Sequence, residues 1–366
     1  MAITMREGED EELVNLQIGG KYFANWVDVE LNLAIDNYAT ASFTAPFQPE
    51  QREFRDLFRP FKYQEVEIDS QLTTLFKGYL VDPAAKFDAT HSIVTAQCYA
   101  KPAVCADSDM PVALLIDSDK KGKSIAREFS KVGIRHIAEA CLKPFGIEVE
   151  LQAPEGKVFD KVRIGPDKKI QEFLVELAKQ RNLVLSNTVD GKLLIWQSVE
   201  PGKPVCNFVE GKSPLTTVET NFSPREYYSE ITGFAAKKRG KAPAKWTEHN
   251  PWLKAPLRAN TFKLEDTERA DAPEATRAKM GRMFASMLSY TIPDLPTWRD
   301  PQGNRWKPNT TVTVLAPSAM IYAETEFLVR NVKFKTTKDG RTATLELALP
   351  GAFNGKVPER LPWDET

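Results

Sequence analysis

Histidine and cysteine are scarce in this chain. Its 366 residues hold three histidines, His91, His136 and His249, and four cysteines, Cys98, Cys105, Cys141 and Cys206. No histidine has a histidine or cysteine three or four positions away, the spacing that sets two metal ligands on one helix face, so no zinc pattern is present. The cysteines are too few and too scattered for a disulfide framework, and Cys98 and Cys105 lack the spacing of a zinc knuckle. They read as small buried residues that stay reduced. Neither G-x-S-x-G nor H-E-x-x-H occurs. The reading is of a non-enzyme with no catalytic residues, no cofactor and no metal.

A dominant charge is missing too. Lysine and arginine number 49 against 50 acidic residues, for a net charge of −1. That balance gives no electrostatic case for nucleic acid or an anionic membrane as the main partner. No apolar run approaches the roughly 18 residues that cross a bilayer, so no membrane insertion is expected. The acidic start, Glu7-Gly-Glu-Asp-Glu-Glu12, lacks both a signal-type apolar core and the D-x-D-x-D-G order of a calcium loop. It reads as a solvated terminus of a protein assembled in the cytoplasm.

What is present is strand. A chain this long is expected to fold as two to four domains. In residues 1–105, the Gly19-Gly20 pair between apolar runs signals a hairpin. Val27, Val29, Leu31, Leu33 and Ile35 alternate with polar residues, which places them on one face of a strand. Glu50 to Phe58 reads as one or two helical turns. Glu65–Asp69, Leu75–Val81 and Ser92–Tyr99 are further strands. Residues 106–205 read as an α/β module. Its strongest helical signal lies within Gly122–Phe145, where Ile134, Ile137, Ala138 and Cys141 share a face. A second helix spans about Ile170 to Gln180, and a hairpin turns at Asp190-Gly191. Residues 206–234 and 312–353 return to strands, at 218–222, 227–234, 312–315, 326–334 and 342–349. Between them lies an insertion, 235–311, with a single helix at about 273–289. Residues 354–366 read as an extended tail.

Three constellations carry functional readings. Lys237, Lys238, Arg239, Lys241 and Lys245 place five positive charges in nine residues with no acid. Phosphate contact is one reading and a solvated loop is the commoner one. No aromatic residue is interleaved to stack bases, so the stretch is taken as a candidate partner-contact loop, with no order of its own expected over 235–260. Trp298 and Trp306 flank Asp300-Pro-Gln-Gly-Asn304, a turn between two packed aromatics rather than a carbohydrate clamp. Glu65, Glu67 and Glu346 alternate with apolar residues, so they face away from the core and do not form a glycosidase pair.

Four ordered segments carry a family resemblance. They are Tyr63-Gln-Glu-Val-Glu-Ile-Asp69 with Phe76-Lys-Gly-Tyr-Leu-Val-Asp82; Ile137-Ala-Glu-Ala-Cys-Leu-Lys-Pro-Phe-Gly-Ile147; Ile170-Gln-Glu-Phe-Leu-Val-Glu-Leu-Ala-Lys-Gln-Arg181 with Asp190-Gly-Lys-Leu-Leu-Ile195; and Trp306-Lys-Pro-Asn309 with Phe327-Leu-Val-Arg-Asn-Val332 and Leu345-Glu-Leu-Ala-Leu-Pro-Gly-Ala-Phe353. In this order the chain resembles the baseplate hub proteins of contractile-tailed phages, the Mu-type tail protein, similar to the T-even hub. No single motif is specific; the ordered set is.

The resemblance implies an α+β, mostly β fold. Two tail-tube-like β-barrel domains would flank an α/β module, with a further module inserted in the second barrel. It implies a homotrimer that joins the sixfold tail tube to the threefold central spike around an axial channel. The expected partners are the spike protein, the tail tube protein and other baseplate proteins, with DNA passing through the channel without specific binding. The expected location is the virion tail baseplate. The rival readings are the hub of a phage-derived device, either a bacteriocin or a secretion system, and a cell-wall hydrolase of the injection machine. The basic loop at 237–245 does not align with the family pattern.

Overall fold

The computed structural model describes residues 13–364, apart from 71–72, 91, 119–123, 127, 166–167, 236–244, 265–271 and 339. The acidic run 7–12 lies outside the described residues.

The first block holds β1 (Val14–Ile18), β2 (Lys21–Phe23), β3 (Asp28–Ala34), β4 (Thr40–Pro46), α1 (Arg52–Leu57), β5 (Glu65–Ser70), β6 (Thr73–Phe87) and β7 (Ser92–Ala100). Gly19 and Gly20 turn the β1–β2 hairpin at φ +58° and +75°, a region where a side chain is strained. Along β3, Val29 and Leu31 are buried while Glu30 and Asn32 are only partly covered. The helix α1, at six residues, is too short to stand alone. Phe54 and the adjoining Phe58 anchor it, their rings 5.7 and 5.5 Å from Phe23.

The middle module holds α2 (Val104–Asp107), α3 (Val112–Leu115), β8 (Ile116–Ser118), β9 (Ser124–Ala126), β10 (Glu128–Phe129), α4 (Ile134–Leu142), β11 (Val149–Gln152), β12 (Val162–Arg163), α5 (Ile170–Lys179), β13 (Val184–Asn187) and β14 (Leu193–Trp196). Strand β14 runs parallel to β11 and antiparallel to β13, and α4 and α5 pack beside this sheet. The helix expected within 122–145 forms only from Ile134. Gly133 sits at its N-cap in extended conformation. One turn back, the apolar stripe meets Lys131 and Ser130, so nothing holds a helix there.

The last block holds β15 (Asn207–Val209), β16 (Glu219–Phe222), β17 (Glu230–Ala235), β18 (Lys245–His249), β19 (Ala259–Leu264), α6 (Ala272–Met287), β20 (Leu288–Leu295), β21 (Thr311–Ala316), β22 (Ile321–Thr337) and β23 (Arg341–Ala348). Both strand blocks join one 13-stranded sheet, ordered β16-β20-β23-β22-β3-β4-β7-β6-β5-β1-β2, with β21 on β22 and β15 on β21. The 17-residue β22 makes this possible. Its first half pairs with β21 and its second half, Asn331 to Thr337, with β3. Two separate barrels were expected. Among the described residues no ladder closes either block on itself, because β3 and β22 spend those edges on each other.

The strand expected at 227–234 in the second block pairs elsewhere. As β17 it lies between β18, antiparallel, and β19, parallel. Order is therefore present inside 235–260, where none was expected; Trp246, Thr247, Thr261 and Phe262 favour strand, in runs too short to show alternation. Conversely β20, inside the expected insertion, belongs to the main sheet, antiparallel to β16 and β23. The C-terminal tail folds back: Leu361 is buried, and the Trp363 ring lies 5.6 Å from Phe222.

Candidate functional site

Where the two strand blocks merge, the sheet buries one face and leaves the other polar. The register lines up residues from both ends of the chain. Gln97, Ser42, Glu30, Lys335 and Thr342 form one cross-strand row; Thr40, Asn32, Lys333 and Thr344 form the next. Gln97, Ser42 and Glu30 of the first row and all four residues of the second, together with Asn331, Thr291 and Glu346, line a shallow trough of about 400 Å³. Its charges answer one another. Lys333 Nζ is 2.8 Å and Lys335 Nζ 3.5 Å from the Glu30 carboxylate. Burial works against the Glu30 charge, but the hydrogen bonds and charges of Lys333 and Lys335 outweigh it and hold the carboxyl below its ordinary range. This face combines neutral polar groups with paired charges.

The trough is bounded by a half-buried ion network. Arg330 reaches Asp36 (3.1 Å), Glu346 (3.6 Å) and the carbonyl of Ala285 (3.5 Å). Burial alone would lower its affinity for the proton; the attraction of Asp36, then Glu346, raises it.

Of the candidate contact loop, Lys237, Lys238, Arg239 and Lys241 lie outside the described residues. Lys245 is exposed at the start of β18, opposite Phe234 of β17. Glu65, Glu67 and Glu346 are not buried, whereas the alternating Val66, Ile68, Leu345 and Leu347 are. Trp298 and Trp306 are both buried. Trp298 donates to the carbonyl of Thr342 at 2.9 Å and packs on Phe334; Trp306 stacks on Phe208. Asp300 fastens the turn between them by accepting from the backbone N–H groups of Gln302 and Asn304. No cluster of metal-ligating side chains occurs among the described residues.

A second concavity escaped sequence reading. Between α5 and α6 lies a cleft of about 570 Å³ lined by Lys179, Lys279 and Arg282, with Phe262 and Met283 on its walls. Burial, and then the neighbouring Arg282, pulls the Lys179 ammonium below its ordinary range; burial, and then Lys179, does the same to Lys279. Burial lowers Arg282 to about 10. The one sequence signal was the Lys279/Arg282 pair at i, i+3 on a helix that is otherwise largely apolar.

Residues 113–197 match the second domain of the gp44-like baseplate hub proteins. Residues 265–356 match the fourth domain of the Mu phage baseplate assembly protein GpP. These two matches, with the fold, show the resemblance to Mu-type baseplate hub proteins that the ordered segments carry. Among solved structures, the 43 kDa tail protein of prophage MuSo2 from Shewanella oneidensis is 21% identical, with a TM-score of 0.75 over 93% of this chain and 99% of that one. The tail protein from Neisseria meningitidis MC58 is 15% identical, with a TM-score of 0.75 over 93% and 98%. The E. coli c3393 protein, a component of the type VI secretion system described as structurally similar to T4 tail proteins gp27 and gp5, is 11% identical, with a TM-score of 0.53 over 92% and 76%. At these identities the likeness establishes the fold. No curated protein matches the chain.

Proposed function

We propose that this chain is the structural hub of a contractile phage tail baseplate. As a homotrimer it joins the sixfold tail tube to the threefold central spike around an axial channel. One observation carries the reading: strands from the two ends of the chain lie side by side in one sheet with a shared polar face. Three copies then present six similar strand blocks in a ring, with that face as the channel wall. Each copy has open edges at β16 and β2. Unpaired edges invite strand addition, and closing a cyclic trimer covers them.

The partners on this reading are the spike, the tube and other baseplate proteins, and DNA passes without specific binding. The protein resides in the virion tail after assembly in the host cytoplasm. It has no catalytic role, and its work is the burial of large subunit interfaces. The fold shared with the E. coli type VI component supports a second reading, the same hub in a phage-derived device.

Light scattering coupled to size exclusion tests the proposal. A homotrimer is expected at assembly concentrations. A monomer at high concentration, both alone and with the spike protein, would falsify it. The purified protein is also expected to release no sugar or peptide from peptidoglycan.

A further inference from the structure

The cleft between α5 and α6 holds more positive charge than its own walls answer. Arg282 is satisfied by the end of α5 and the turn beyond it, donating to the carbonyls of Lys179 at 3.3 Å and Leu183 at 3.1 Å. The first is one of the acceptors that a helix C-terminus leaves open. Lys179 and Lys279 have no ion pair among the described residues. The Lys279 ammonium instead sits 4.1 Å from the centre of the Phe262 ring. Glu176, on the same wall, is engaged by Lys168 at 2.7 Å. Glu226, the other acid on the lining, attracts Lys279 without pairing with it among the described residues, and Lys263 adds a further positive charge, so cations outnumber acids four to two. Two lysines and an arginine crowded in a partly dry cleft repel one another, and a counter-charge relieves that repulsion.

The remaining walls narrow the ligand. Phe262 and Met283 give the cleft an apolar side. The buried amide oxygen of Asn260, also on the lining, has no hydrogen-bond donor among the described residues. A free inorganic anion supplies no apolar group. A peptide supplies one through a side chain, offers a backbone N–H to that oxygen, and brings the charge in its carboxylates.

We propose that the cleft between α5 and α6 receives an acidic segment of a partner protein, its carboxylates on Lys179 and Lys279 and an apolar side chain against Phe262 and Met283. The site is separate from the channel face and does not depend on the hub reading.

Fluorescence anisotropy on the full chain tests it, with a labelled hexapeptide alternating glutamate and leucine as probe. Saturable binding is expected at ~1–100 µM, with no binding of the same peptide carrying glutamine for glutamate. The Lys179→Gln/Lys279→Gln double variant is expected to lose about tenfold or more in affinity with its melting transition preserved. Three results overturn the proposal. The first is no saturable binding, or equal affinity in the double variant. The second is displacement of the probe by inorganic phosphate as effectively as by unlabelled peptide, which makes the cleft a simple anion site. The third is binding only after Glu265, Asp266, Glu268 and Asp271 are changed to amides, which assigns the cleft to the chain's own carboxylates.

Discussion

Arg330 Nη2 stands 3.1 Å from Asp36 Oδ2, and this contact ties the last long strand pair to the loop that follows β3. The backbone reinforces it, since the Ile35 N–H donates to the Arg330 carbonyl at 2.9 Å. The pair therefore sits at the seam where the two strand blocks become one sheet. Arg330→Met leaves Asp36 and Glu346 without their shared cation. Removing one member of a partly buried pair is expected to cost about 2 kcal/mol. Urea unfolding of Arg330→Met, Asp36→Asn and the double variant gives the coupling, and strictly additive effects would remove the pair from the seam's stability.

Gly281 lies inside α6, where alanine ordinarily gains about 1 kcal/mol of helix propensity. Here a Cβ would meet the Ala352 carbonyl oxygen and the Gly355 Cα at 2.7 Å. Both are backbone atoms of the C-terminal turn and cannot swing aside. Overpacking of this kind costs about 1–3 kcal/mol, so Gly281→Ala is expected to lower the urea midpoint. A raised midpoint would show that the turn yields.

All four cysteines are buried and free. Burial pushes the Cys98 thiol up, Cys105 to about 12 and Cys206 to about 11. The thiolate is the reactive form, so an aromatic disulfide reagent is expected to leave the native protein unmodified at pH 8. In guanidinium all four thiols should react. Fast labelling of Cys206 under native conditions would show that the β15 edge opens.

The elements that sequence reading found are those whose signal is local. Gly19, Gly20 and Gly191 take positive φ, and Ile170, Phe173, Leu174 and Leu177 recur at helical spacing, so the hairpins and α5 were legible. The β22–β3 seam was not. Its partners, Asn331 and Ala34, lie at opposite ends of the chain, and either strand alternates in the same way whichever neighbour it has. The parallel pairing of β17 with β19 was hidden for the same reason. Segment order indicated a hub, but period-2 alternation could not show that both strand blocks share one sheet and one polar face. The cationic cleft was hidden because Lys179 and Lys279 come from helices far apart in sequence.

The charge pairing on the polar face leads to the last prediction. Glu30 holds Lys333 and Lys335, so Glu30→Gln removes the carboxylate and leaves two ammonium groups on the polar face without their partner. Because the folded Glu30 carboxyl lies below its ordinary value, its stabilising contribution is complete above the unfolded value, about 4.3. It is lost as pH falls through the lower folded value. The urea midpoint of wild type should therefore fall with acid more steeply than that of Glu30→Gln, and the two curves should converge once the carboxyl is protonated. At neutral pH the same variant should bind duplex DNA more tightly than wild type. Each freed lysine that contacts a phosphate adds about 0.9 to the slope of log affinity against log salt, so two add about 1.8. Filter binding across a salt series measures this. An unchanged slope in Glu30→Gln would mean that this face does not meet DNA and would remove it from the channel wall.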